Sequence, residues 1–201
     1  MGSSIVKHAF LHARQLNEGS SLGLNRFNAT ILWQGRGGLI CSRLLPTIRH
    51  LLTIEDHPHL LVIHCGGNDI GQVNSCVLGH RMAVIIRQLI RLLLHTKIIF
   101  SQILPRLHWR GELTHTALNR ARIRINSKNA SLVIRNGGYY FKYPELSELN
   151  PSFFFSRDKV HLSETGNDMF LLRLQQYLTS ILTSSSQITS TVGTYGQRLH
   201  N

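Results

Sequence analysis

The 201 residues, 42% of them hydrophobic, suffice for one domain with a substantial core, and 22 Lys and Arg against 10 Asp and Glu leave a formal charge of +12. No apolar run reaches the ~20 residues that cross a bilayer, since Met82 to Leu94 is broken by Arg87, Gln88 and Arg91, and this excludes a membrane span. The N-terminus has no basic-then-apolar secretory pattern. Cys41, Cys65 and Cys76 lack metal-pair spacing and are too few for a disulfide framework, so the expectation is an intracellular, cytoplasmic protein with free thiols.

In chain order, Ser4 to Glu18 reads as a helix ending before Gly19, and Asn28 to Trp33 as a strand. Gly35, Gly37 and Gly38 form a turn into a helix marked by Leu44, Leu45, Ile48 and Leu51. His59 to Cys65 is a buried strand, Asn74 to His95 a long helix and Lys97 to Gln102 the next strand. Pro105 to Gly111 is a basic loop before a helix from His115 to Ile134. Tyr139 to Tyr143 is a short strand, followed by an acidic, proline-marked loop from Pro144 to Pro151 and a last helix from Leu162 to Leu182. Residues 1–182 therefore form one domain, and the Ser/Thr-rich 183–201 read as a disordered tail. Strands alternating with longer helical segments predict an α/β domain with parallel strands, whose first strand is missing ahead of residues 1–3.

Ligand sites of open α/β sheets gather at the carboxyl ends of strands, where several chemistry-bearing residues fall. Ser4, in Gly2-Ser3-Ser4, opens the first helix, where helix-end amides favour negative charge; as a bland feature it is a helix cap. Gly38 ends a glycine turn that lets a backbone N–H approach a ligand, or simply joins a strand to a helix. Asn68, in Gly66-Gly67-Asn68-Asp69, offers an amide donor to an oxyanion, or is a turn residue. Asp158 stands three residues before His161. A carboxylate so placed can hold one imidazole nitrogen and leave the other to accept a proton from a nucleophile.

These four blocks, Gly2-Ser3-Ser4-Ile5, the turn ending in Gly38, Gly66-Gly67-Asn68-Asp69 and Asp158-Lys159-Val160-His161, resemble in order those of the SGNH (GDSL-like) hydrolases over about residues 1–182. The resemblance implies a flavodoxin-like three-layer sandwich with a mostly parallel sheet, and ester hydrolysis without metal or cofactor. It implies Ser4 as nucleophile, His161 as base and Asp158 as its orienting carboxylate. It further implies an oxyanion hole from the N–H groups of Ser4 and Gly38 and the side chain of Asn68. Ser3 stands where the family usually carries Asp. The texture of Ile31 to Arg36, Ser101 to Arg106 and Gly137 to Tyr140 is similar to SGNH-type domains of vertebrate retroelement-derived reading frames.

Three other readings compete. Ser4-Ile5-Val6-Lys7 spells a Ser-x-x-Lys pattern without its companion motifs, and Asp56, His57, His59 and His64 suggest a metal set that Pro58 and a strand register work against. The third is a non-catalytic module of the same fold that binds nucleic acid or protein through its basic surface, with the helix around Arg120 to Lys128 and Trp109 between His108 and Arg110 as contacts. Along the sequence the cations from Arg81 to Arg135 are scattered rather than clustered.

Overall fold

The computed structural model describes residues 1–146 and 151–196, with side chains through 184 apart from 151 and 152. Its elements are α1 (Ser4–Ala13), a 3-10 turn (Leu24–Phe27), α2 (Cys41–Leu51), β1 (Leu60–Ile63), α3 (Ser75–Leu92), β2 (Lys97–Ser101), α4 (His115–Arg135), β3 (Tyr139–Phe141), α5 (Pro151–Phe154) and α6 (Glu164–Gly196). Among the described residues the strands form one parallel sheet ordered β1-β2-β3, with Leu60 opposite Lys97 and Ile99 opposite Tyr139. Each crossover carries a helix, as parallel neighbours require.

Alternation along β2 sends Ile98 and Phe100 to one face and Ile99 to the other, and two cores result. On the first face Phe100 and Ile63 meet Leu44 and Ile48 of α2, Met82, Ile86 and Leu89 of α3, and Ile125 and Val133 of α4. On the second, Ile99 and Phe141 meet Ile5 and Ala9 of α1 and Phe170, Leu174 and Leu178 of α6. The expected three-layer α/β architecture is thus present. Side-chain caps set two helix starts: Asn74 Oδ1 accepts from Cys76 N at 2.9 Å before α3, and Thr114 Oγ1 accepts from Ala117 N at 3.3 Å before α4.

Two expectations need correction and one needs delimiting. The segment expected as a strand at Asn28 to Trp33 forms none; only Gly35 bridges, to Gly2. A ladder needs a neighbour, and the neighbour here, Met1 to Ser3, meets the chain only from Gln34 onward among the described residues. These three occupy the position expected for a missing first strand, because Gly2 bridges Gly35 on one side and His64 on the other, both in parallel. Helix α1 stops at Ala13 rather than Glu18, since the chain turns at once through Gly19 and Gly23, both with positive φ. Helix α6 is described to Gly196, while the side chains of 185–196 and the whole of 197–201, where a disordered tail was expected, lie outside the described residues, as does 147–150 of the acidic loop.

Candidate active site

Ser4 is the first residue of α1 and inherits its position from the ladder beneath it. Gly2 N donates to Gln34 O at 2.9 Å, Arg36 N to Gly2 O at 2.8 Å, His64 N to Met1 O at 3.0 Å and Ser3 N to His64 O at 3.3 Å. The terminal ammonium of Met1 donates to Val62 O at 2.9 Å. A Cβ on Gly2 would stand 2.4 Å from Val6 Cγ2 and 2.7 Å from His64 O, so only glycine admits this approach of α1 to the sheet. Held on both sides, the short segment delivers Ser4 with its N–H in the first helical turn, where no intrahelical acceptor exists.

His161 comes from the loop that precedes α6. Asp158 organises that loop: its Oδ1 accepts from Ser156 Oγ at 2.6 Å and from the N–H groups of Val160 and His161 at 2.9 Å each. Its Oδ2 lies 2.5 Å from His161 Nδ1, and His161 Nε2 lies 2.9 Å from Ser4 Oγ, across 157 residues of sequence. Burial alone would raise the Asp158 carboxyl. The His161 N–H, the Ser156 hydroxyl, the His161 ring and the Val160 N–H outweigh it and hold the group well below the ordinary carboxylate range. An ionised carboxylate only accepts, so Nδ1 carries the proton and Nε2 is left to accept from the Ser4 hydroxyl. Lys159 adopts a left-handed φ of 61°, and its carbonyl is anchored by Leu107 N at 3.0 Å and His108 N at 3.1 Å. After it, Ser163 Oγ caps α6 by accepting from Gly166 N at 3.0 Å.

The remaining predicted residues sit in two loops leaving the neighbouring ladder positions, one after Gly35 and one after His64. Asn68 Nδ2 donates to Leu39 O at 3.0 Å, which ties Asn68 to the residue following Gly38. That bond uses one of its two N–H hydrogens. Gly38 is exposed with φ 67°, and a Cβ there would meet nothing within 4 Å, so its glycine answers to backbone conformation rather than to crowding. Buried Asp69 accepts from Cys41 N through both oxygens, at 3.1 and 3.0 Å, fastening the loop after β1 to the first residue of α2. Burial raises the Asp69 carboxyl, against the opposing effects of the Cys41 N–H, Arg81 and Arg106.

Two contributors were not assigned from the sequence. Arg106, 5% exposed, donates from Nη2 to Asn68 Oδ1 at 2.9 Å and lies over the Trp109 ring at 5.4 Å. Burial, then Arg110, pulls its guanidinium down to about 10, and it remains a cation at neutral pH. Its signal in the sequence is an arginine directly after Pro105, at the start of the basic loop. His8, one helical turn beyond Ser4, packs its ring 4.7 Å from the His161 ring, and burial, His161 and Lys7 lower its pKa while Asp158 raises it.

The geometry also decides among side readings. Ser4 bonds His161, while Lys7 of the Ser-x-x-Lys reading is exposed and no hydrogen bond from it to Ser4 is seen. Of the residues considered for a metal, His64 is buried with Nδ1 2.9 Å from Ser101 Oγ, which in turn lies 2.8 Å from Tyr143 OH; Asp56, His57 and His59 are exposed. Trp109, read as part of a binding surface, is 5% exposed beneath Arg106 and presents no face to a partner.

No family model matches the sequence, and no curated protein matches it. Among solved structures the chain is similar to a GDSL-like lipase from Bacteroides thetaiotaomicron, at 21% identity and TM-score 0.62 over 90% of this chain and 86% of that one. A member of the lipolytic G-D-S-L family from Veillonella parvula superposes with TM-score 0.63 at 15% identity, covering 89% and 95%. The family 3 carbohydrate esterase of Clostridium thermocellum gives TM-score 0.58 at 19% identity over 76% and 71%. The chain has the fold of these SGNH-type hydrolases.

Proposed function

We propose that this chain is a serine hydrolase that cleaves ester bonds with Ser4 as nucleophile. The observation that carries the reading is the continuous hydrogen-bonded chain from Ser4 Oγ through His161 to Asp158, built from opposite ends of the sequence. Such a chain performs a defined sequence of proton and acyl transfers. His161 Nε2 takes the Ser4 proton as Oγ attacks the ester carbonyl, forming a tetrahedral oxyanion, and Asp158 stabilises the imidazolium without itself taking the proton. Collapse breaks the bond to the alcohol, which leaves with the proton from Nε2, and Ser4 is acylated. Water, deprotonated by the same nitrogen, then attacks the acyl carbonyl, and release of the acid restores Ser4.

The developing negative charge needs preorganised donors, and the N–H groups of Ser4 and Gly38 with the second Asn68 Nδ2 hydrogen are the candidates. Arg106 supports Asn68 by binding its carbonyl oxygen, so that the NH2 end is the one directed away from the guanidinium. The fold neighbours named as a lipase and a carbohydrate esterase share ester chemistry, which agrees with this reading. None of Cys41, Cys65 and Cys76 belongs to the proposed machinery.

The test is hydrolysis of a short-chain p-nitrophenyl ester, together with mass-spectrometric detection of covalent labelling by a fluorophosphonate. Turnover and a single adduct on Ser4 are expected, both lost in Ser4→Ala and His161→Ala proteins that melt like the parent. Undiminished turnover in the folded Ser4→Ala protein would overturn the assignment.

A further inference from the structure

The fold collects on one face a charge that the sequence spreads over almost 100 residues. Helices α2, α3 and α4 form the layer over the first core, with α3 packed against both α2 and α4. They carry two, three and five Arg or Lys respectively, and not one Asp or Glu. Of these ten only Arg122 is buried, where it donates to Ile103 O and Asn119 Oδ1; the other nine are exposed. The helices of the opposite layer are electrically balanced: α1 contributes Lys7, and α6 contributes Arg173 against Glu164 and Asp168. The surplus of positive charge therefore belongs to one side of the molecule.

Its arrangement is ordered. On α4, Arg120, Arg124 and Lys128 recur every four residues and so share one stripe; on α3, Arg87 and Arg91 do the same. The two helices touch at Gly79, where a Cβ would stand 3.8 Å from Lys128 Cδ, so the two stripes lie on neighbouring helices rather than on opposite sides. Among the described residues no salt bridge is seen for the nine exposed cations. Eighteen residues of α3 and 21 of α4 extend about 27 and 31 Å at 1.5 Å per residue. A duplex run of about 30 Å carries roughly 18 phosphates.

We infer that the α2–α3–α4 face binds the phosphate backbone of double-stranded nucleic acid, without reading its sequence. Nine of the ten cations of the layer are arginine, whose planar fork pairs with phosphate in two parallel hydrogen bonds. The three helices contain no Phe, Tyr or Trp, so they offer neither a platform for stacking unpaired bases nor the aromatic anchors of a membrane-lying helix. What remains is an array of point contacts suited to a regular, rigid polyanion. The surface is separate from Ser4, His161 and Asp158, which come from the α1 and α6 side, so this inference stands apart from the hydrolase reading.

Fluorescence anisotropy of the full chain with a labelled 20-base-pair duplex tests it. About four neutralised phosphates give a slope near −3.6 in log K against log salt, a weakening of about 150-fold between 50 and 200 mM KCl. The triple variant Arg120→Gln, Arg124→Gln, Lys128→Gln should flatten the slope by about 2.7 and bind at least tenfold more weakly at 50 mM. Arg120→Lys with Arg124→Lys should keep the slope. A control removing three exposed cations elsewhere, Arg14→Gln, Arg26→Gln and Lys142→Gln, should stay within about threefold of the parent, and Ser4→Ala should bind normally. Absence of binding at 50 mM, equal weakening by both triple variants with unchanged melting temperatures, or capture by phosphatidylserine vesicles but not by duplex would each overturn the inference.

Discussion

Arg106 makes the sharpest demand on the proposed site, because its side-chain hydrogen bond goes to Asn68 and not to Ser4, His161 or Asp158, while its charge is also attracted by the Asp158 and Asp69 carboxylates. The perturbation is Arg106→Met, which retains length and fills the space while removing the bond to Asn68 Oδ1 at 2.9 Å. A hydrogen bond from a charged donor contributes about 1.5–3 kcal/mol. If that energy fixes which end of the carboxamide faces the reacting carbonyl, its loss lowers kcat by about 10- to 150-fold. KM should hardly change, since the oxyanion exists only after attack. Asn68→Ala removes the donor itself and should cost about 10²–10³ in kcat. The deciding experiment is the double-mutant cycle: in the Asn68→Ala background, Arg106→Met should lower kcat by no more than about threefold, because the group it positions is gone. If Arg106→Met alone leaves kcat intact in a folded protein, or if its factor persists undiminished without Asn68, the positioning argument fails.

Asp158→Asn keeps a hydrogen-bond acceptor for the Val160 and His161 N–H groups but removes the charge opposite the imidazolium, and steady-state kinetics should show kcat reduced by about 10²–10⁴. His64 should make the fold acid-sensitive: burial, then Arg106 and the terminal ammonium, push its pKa from 6.5 down to about 3, so it is neutral in the fold and charges readily when unfolded. The stability this contributes is complete above about pH 6.5 and is lost as pH falls toward 3; urea unfolding across that range should be flatter for His64→Gln than for the parent. Gly35→Ala would put a Cβ 2.4 Å from Lys7 N, against backbone rather than a yielding side chain, so both melting temperature and ester turnover should fall together as α1 is displaced from the sheet. A variant that melts lower but turns over normally would show that Ser4 does not depend on this contact.

What was legible in the sequence was what is decided over a few residues. Asp158 and His161 are three apart, and the turn that lets one carboxylate serve a ring and two N–H groups is a local matter. The starts of α3 and α4, set by the side chains of Asn74 and Thr114, are equally local. The strand pattern at Asn28 to Trp33 is genuine as a pattern, but a strand is completed by a neighbour, and the neighbouring ladder reaches only Gly35. Arg106 stayed hidden because its partner lies 38 residues earlier, and a loop arginine in a basic segment looks solvated until the fold closes over it. Trp109 misled for the opposite reason, since exposed His108 and Arg110 flank a side chain that turns inward. The basic face could not be read from spacing at all: its helices are separated in sequence by β1 and β2, and only their packing on one side of the sheet puts the cations of α2, α3 and α4 on one layer.

The site divides along the sheet in a way that constrains how it can fail. The proposed nucleophile and base hang from α1 and α6, which share the second core through Ile5, Ala9, Phe170 and Leu174. The proposed oxyanion donors Gly38 and Asn68 lead into α2 and α3, which share the first core through Leu44, Ile48, Met82 and Ile86. Between the two halves stand the ladder bonds of Met1 to Ser3 with Gln34, Arg36, Val62 and His64, and the span from Arg106 to Lys159, whose loops are joined through Leu107 and His108. A core substitution in one layer therefore loosens one half while leaving the internal geometry of the other intact. A cavity beneath α6 should disturb the proton relay before it disturbs Asn68, and one beneath α3 the reverse. The joints at Gly2 and Lys159 are where both functions would be lost at once.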